Sequence, residues 1–194
     1  MRGPAVRVIA GRFRSRPLRS LPGMDLRPTA DRLRETLFNV LSAGNPAVFE
    51  GKVWLDLCAG TGAVGIEALS RGAAKVYFVE SAFAAARLIG RNLDSLGVDA
   101  GFEVVKEDVL RALGRLEAKS VTANFIFLDP PYRMAKVYVQ VLQLLSQSPL
   151  LASDAVLIAE HDKRFEPGDR SALLQRYRKL AQGDAVLSFY RLVR

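Results

Sequence analysis

VWLDLCAGTGAVGIEALSR, residues 53–71, reads as a strand, a glycine loop and the opening of a helix. Gly60 and Gly62 let the backbone turn tightly and come close to a ligand, and Gly65 lets the helix that follows pack against the strand. Outward from this unit the same alternation continues. Apolar strands are predicted at 75–80, 102–106, 124–129 and 155–160, separated by helices at 63–71, 82–96, about 109–117 and 134–146. Five apolar strands divided by helices specify an α/β fold with a parallel, doubly wound sheet. Residues 173–180 and 185–193 flank a Gln182-Gly183-Asp184 turn, which predicts an antiparallel hairpin closing the sheet.

The spelling G-x-G-x-x-G alone fits a dinucleotide site as well as an S-adenosylmethionine site. Glu80 ends the second strand, where a carboxylate accepts from both hydroxyls of a ribose, and this too is common to both. Asp56 adds discrimination, because an acid at the mouth of the loop suits the cationic ammonium end of methionine better than a pyrophosphate. Asp108, after the third strand, is placed to accept from an adenine amine, or to cap the helix it precedes. Cys58 has no base beside it and reads as a small residue filling a strand-to-loop turn, and His161 reads as a surface histidine.

The fourth strand runs into Asp129-Pro130-Pro131-Tyr132, the most specific feature of the chain. Two prolines fix the backbone and remove two donors, so rigid carbonyls are presented, and the aromatic offers a stacking face for a base. An exocyclic amine is a poor nucleophile because its lone pair is delocalised into the ring. Acceptance of its two hydrogens by the Asp129 carboxylate and the Pro130 carbonyl would draw the nitrogen toward sp³ and aim the lone pair at a methyl donor.

The chain has 194 residues and 49% hydrophobic content, which suits a folded domain with a sizeable core and excludes a disordered polyelectrolyte. Its apolar runs are too short to cross a bilayer, and one cysteine with one histidine gives no zinc cluster. The net charge of +8 is concentrated at the start: residues 1–35 hold nine arginines against Asp25, Asp31 and Glu35. Such a stretch neutralises phosphates. Residues 6–19 alternate apolar and basic residues around Gly11 and stop near Pro17, a short hairpin or extended arm presenting Arg7, Arg12, Arg14 and Arg16. Thr29 is placed to cap a helix whose Leu33, Leu37, Val40 and Leu41 share one face, with Arg32, Glu35 and Asn39 opposite. Residues 1–45 are thus expected as a basic arm and helix packing on a core domain at 46–194.

DLCAGTGAVGIEALSRGA (56–73) together with FLDPPY (127–132) resembles the cofactor and amino-methylation motifs of class I methyltransferases. VIAGRFRSRPL (8–18) and LRPTADRLRETLFNVL (26–41) resemble the bacterial 16S rRNA guanine-N2 methyltransferase family, RsmD, and the similarity extends to the hairpin ending at Leu192. The resemblance implies a Rossmann-like sheet of seven strands with a small basic extension. It implies transfer of a methyl group from S-adenosyl-L-methionine to the N2 amine of guanine 966 in 16S rRNA, in the 30S subunit or its assembly precursor. From composition, a cytoplasmic protein without membrane or metal is expected, and a monomer is expected as well. By matching motifs, Gly60 and Gly62 line the cofactor, Glu80 holds its ribose, Asp108 sits by the adenine, Asp129, Pro130, Pro131 and Tyr132 grip the guanine, and Arg27, Thr29, Arg32 and Glu35 match the family's helix beside the cofactor and RNA. Ser81-Ala82-Phe83 departs from the more polar stretch of many relatives. Three competing readings are a dehydrogenase, which needs neither the Asp129 motif nor the arm, a DNA adenine-N6 methyltransferase, and a noncatalytic RNA-binding assembly factor.

Overall fold

The computed structural model describes residues 6–21, 28–131 and 134–193. Its elements are α1 (Pro28–Leu41), β1 (Val53–Leu57), α2 (Ala63–Ser70), β2 (Lys75–Val79), α3 (Phe83–Leu96), β3 (Phe102–Val105) and α4 (Val109–Ala118). They continue with β4 (Ala123–Leu128), α5 (Ala135–Leu145), β5 (Leu151–Asp162), β6 (Arg170–Ser171), β7 (Leu174–Gln182) and β8 (Ala185–Leu192). The strands form one sheet in the order β3-β2-β1-β4-β5-β8-β7-β6, parallel through β5 and antiparallel beyond it. Eight strands stand where seven were expected. The added β6 is two residues long and pairs with Leu174 and Gln175, too short for any alternation to announce it. Strand β5 also starts earlier and ends later than 155–160. Pro28 opens α1, so Thr29 lies inside its first turn instead of capping it, a position where proline's missing N–H costs nothing.

Side chains alternate across the sheet and build two apolar layers. Trp54, Phe125, Phe127 and Ile158 pack toward α1, α2, α3 and the arm, where Val8, Leu18, Leu37, Phe38, Ile66 and Leu93 are buried with them. Leu55, Ile126 and Leu157 face the other way, onto Leu113 of α4 and Tyr138 and Leu142 of α5. Trp54 stacks between Phe38 and Phe125, with ring centroids 5.3 Å away on each side, and Phe49 meets it edge-on at 6.1 Å. Each such aromatic, taken fully out of water, contributes roughly 1.5–3 kcal/mol.

The arm folds back on itself. Arg7 and Pro17 form an antiparallel bridge, and Leu18 N donates to Val6 O at 2.7 Å. It lies flat on the end of α2: a Cβ on Gly11 would sit 1.9 Å from the Ser70 carbonyl oxygen, so only glycine fits.

Candidate active site at the carboxyl ends of the strands

Strands β1 and β4 are neighbours from which the chain winds out in opposite directions, and a crevice opens past the carboxyl ends of such strands. There the protein has a cavity of about 570 Å³, joined to a smaller one of about 230 Å³ under α1. Cys58, Gly60, Asp129 and Glu160 line both.

The glycine loop is held from two sides by acids. Glu80 accepts from Gly60 N at 2.9 Å and from Ala82 N at 2.7 Å, fixing the loop to the end of β2. Buried Asp56 accepts from Gly65 N at 2.8 Å, at the first turn of α2. In a dinucleotide site that helix terminus receives a phosphate, whereas here a side-chain acid already occupies it. Burial pushes the Asp56 carboxyl up to about 8, aided by Asp129 and Glu80 and opposed by the Gly65 N–H. Gly60 and Gly62 have φ of 56° and 77°, and Cys58 shares this left-handed region at 64°. Burial raises the Cys58 thiol to about 12, which leaves it protonated and inert as a nucleophile. Asp108 lines the larger cavity and caps α4, accepting from Leu110 N at 3.0 Å. The capping function read for it is thus present in the structure.

Asp129, Pro130 and Pro131 border the larger cavity, and Tyr132 lies outside the described residues. Burial raises the Asp129 carboxyl to about 7. The turn is braced from beneath by Tyr138 of α5, a residue sequence reading had passed over. Its hydroxyl donates to the Glu160 carbonyl at 2.6 Å and more distantly to the Pro130 carbonyl at 3.2 Å. The Pro131 carbonyl accepts from Met134 N at 2.7 Å, so it is already occupied. Glu160, which ends the apolar run of β5 and faces both cavities, was likewise not foreseen. The signal was present, since Glu80 and Asp129 also follow apolar strand runs.

Among the described residues, the larger cavity is lined by Glu80, Glu107, Asp108, Asp129 and Glu160 and by no cationic side chain. No helix is long and apolar enough to cross a membrane, and no metal-ligating cluster occurs among the described residues.

Arg7, Arg12, Arg14 and Arg16 are exposed on the arm and line neither cavity. Arg16 donates to the Ser95 carbonyl at 2.7 Å, and the Arg12 guanidinium lies 4.4 Å from the Phe13 ring centroid. Arg32 is exposed on α1, Thr29 is described only by its place in that helix, and Arg27 lies outside the described residues. Arg34 departs from the phosphate-binding reading of the arginine-rich segment. It is buried, donating to the Arg7 carbonyl at 2.5 Å and to Asp31 at 3.1 Å.

The arm's backbone is satisfied by α2 and α3. Buried Glu67 accepts from Ile9 N and Ala10 N, and Ser70 accepts from Phe13 N. Asn92, fully buried, accepts from Arg19 N and donates to Arg19 O and to Thr61 O, so one amide joins the arm to the glycine loop. His161 corrects the expectation of a surface residue. It is fully buried because β5 continues past it and β8 covers it, with Nε2 2.9 Å from Ser188 Oγ and Nδ1 3.0 Å from the Asp162 carbonyl. Burial lowers its pKa and keeps the ring neutral.

A family model described as conserved hypothetical protein 95 matches residues 6–191. Bacillus subtilis YlbH is 34% identical over 186 residues, spanning 96% of this chain and 98% of its own. Ribosomal RNA small subunit methyltransferase D of Escherichia coli K12 is 36% identical over 157 residues, covering 81% of this chain and 75% of the relative. The solved structure of Escherichia coli YhhF superposes with a TM-score of 0.81 at 30% identity, over 98% of this chain and 100% of that one.

Proposed function

The chain belongs to the conserved hypothetical protein 95 family, the RsmD family of class I methyltransferases, and from that premise we propose that it methylates the N2 amine of a guanine in small-subunit rRNA, using S-adenosylmethionine. The observation that carries this reading is the larger cavity, with five carboxylates and no cation along its described walls. A pyrophosphate would be repelled there, while a ligand bearing a sulfonium and an ammonium group is attracted. The amine-accepting turn at Asp129 borders the same space.

When bound, the cofactor supplies an electrophilic methyl group. Gly60 and Gly62 would admit it against the backbone, Asp56, which lines the adjacent smaller cavity, would serve its ammonium end, Glu80 would take the ribose hydroxyls on its remaining lone pairs, and Asp108 would serve the adenine. Asp129 and the Pro130 carbonyl accept the two hydrogens of the target amine, with Tyr138 holding that carbonyl in place from behind. Tyr132 supplies a stacking face for the guanine once it leaves its stack. The arginines of the arm, with Arg27 and Arg32, engage phosphates and set the approach of the RNA. Guanine 966 is the target favoured by the family resemblance.

The test is transfer of a labelled methyl group to small subunits from a strain lacking the modification, followed by location of the methylated nucleotide by mass spectrometry. Label on a guanine N2 is expected. Label on DNA adenine instead, or binding to RNA without transfer, would replace this reading with one of its rivals.

A further inference from the structure

Asp129 and Glu160 stand side by side. Phe127 pairs with Ile158 and Leu128 with Ala159 in the parallel β4–β5 ladder, so the next residue on each strand continues the register. Phe127 and Ile158 both face the α1 side of the sheet, and alternation sends Asp129 and Glu160 to that same side. Both line the larger cavity and the smaller one. Tyr138 ties the two strand ends together through the Pro130 and Glu160 carbonyls. Among the described residues, no ion pair involves either carboxylate.

We infer that Asp129 and Glu160 share one proton, release it when a cationic ligand enters the cavity, and recover one from the amine on methyl transfer. Two carboxyls confined together cannot both ionise cheaply, because the second charge is opposed by the first and by lost hydration. Burial raises both groups, and the charge of Asp129 raises Glu160 further. Among the described residues, the surroundings supply no free neutralising charge. Asp56 and Cys58 face the pair from β1, Glu80 from the end of β2, and Glu107 and Asp108 from the start of α4. From α1 come Asp31 and Arg34, and the guanidinium of Arg34 is engaged by Asp31 and the Arg7 carbonyl. Leu187 of β8 is apolar.

The inference rests on the reading of this cavity as an S-adenosylmethionine site, and the proton balance closes on that chemistry. The sulfonium charge makes the fully ionised pair favourable, so the shared proton leaves to solvent on binding. In the transfer, a nitrogen–carbon bond forms, the carbon–sulfur bond breaks with its electrons going to sulfur, and the nitrogen gives a proton to Asp129. The pair then holds one proton again beside a neutral thioether. Glu160 acts through Asp129 and is a positioning residue.

The experiment is calorimetric titration of the full chain in buffers of differing ionisation enthalpy, at about pH 8, where Asp129 alone would already be ionised. With S-adenosylmethionine, wild-type protein is expected to release protons, and with S-adenosylhomocysteine, which lacks the charge, it is expected to release almost none. Glu160→Gln should bind the cofactor and release fewer protons, and Asp129→Asn, which also dissolves the pair, should do likewise. Equal release from wild type and Glu160→Gln would assign the proton to Asp56 and overturn the pair, as would binding by wild type without release. Failure of wild type to bind either ligand would instead overturn the cofactor site itself.

Discussion

Asp129 carries the chemistry in this reading and little of the cofactor's adhesion, which separates two measurable quantities. Asp129→Ala is expected to slow single-turnover methyl transfer by roughly 10² or more, with cofactor affinity little changed. Near wild-type turnover would mean that another group orients the amine. Glu80 behaves differently, because its carboxylate also holds Gly60 N and Ala82 N. Glu80→Ala should therefore weaken cofactor binding through loss of loop shape as well as loss of the ribose contact, and calorimetry should register the loss without a change of fold. Gly65→Ala belongs to a third kind. A Cβ there would sit 2.3 Å from Phe78 Cε1 and 2.8 Å from Val76 Cγ1, so α2 must lift off the sheet. Overpacking of this sort costs about 1–3 kcal/mol, readable as a lower urea midpoint.

At the scale of elements, the docking role proposed for the arm can be separated from catalysis. Replacing Arg7, Arg12, Arg14 and Arg16 with Ala should weaken target and nontarget RNA alike and leave cofactor binding intact, since none of the four lines either cavity. If all four contact phosphate, the slope of log affinity against log salt should flatten by roughly 0.7–0.9 per contact. An unchanged slope would place the RNA elsewhere. Asn92→Leu makes the contrasting case, because it cuts the one amide joining Arg19 to Thr61 and should impair both partners' binding at once. The alternation around Gly11 left the arm as either a short hairpin or an extended segment, and the Arg7–Pro17 bridge selects the hairpin. Its anchors were not legible: Glu67, Ser70 and Asn92 stand 57 to 73 positions away from their partners, in helices where polar residues ordinarily face water. Nothing in a local pattern distinguishes a buried anchor from a solvated side chain. His161 was misread for the same reason, and the burial of Arg34 was likewise not legible, since both are decided by elements distant in the chain.

For the whole molecule, the site's chemistry and the fold's stability are opposed. Asp56 and Asp129 bind protons more tightly folded than unfolded, so stability from these groups is lost as pH rises from about 4 through about 8, and Glu160, raised by burial and by Asp129, acts in the same direction. Neutral His161 acts in the other direction, but only as pH falls below about 6.5. The free protein should therefore melt at a lower temperature at about pH 9 than at about pH 7, and saturating cofactor should narrow that gap by supplying positive charge. A gap that persists unchanged with cofactor bound would mean these acids do not meet it. The doubly wound core was readable because each of its strands is an apolar run of several residues bounded by a helix, and β6 was not, because two residues carry no period. The packing around β1 has one further use. Trp54 is the chain's single tryptophan, sandwiched between Phe38 of α1 and Phe125 of β4, with its indole N–H unpartnered among the described residues. Light emitted from so apolar a slot lies toward the blue, and any lifting of α1 would wet one face of the indole and redden it. The molecule thus carries its own optical gauge of how firmly that helix is seated, and the RNA docking proposed beside it could be watched without a dye.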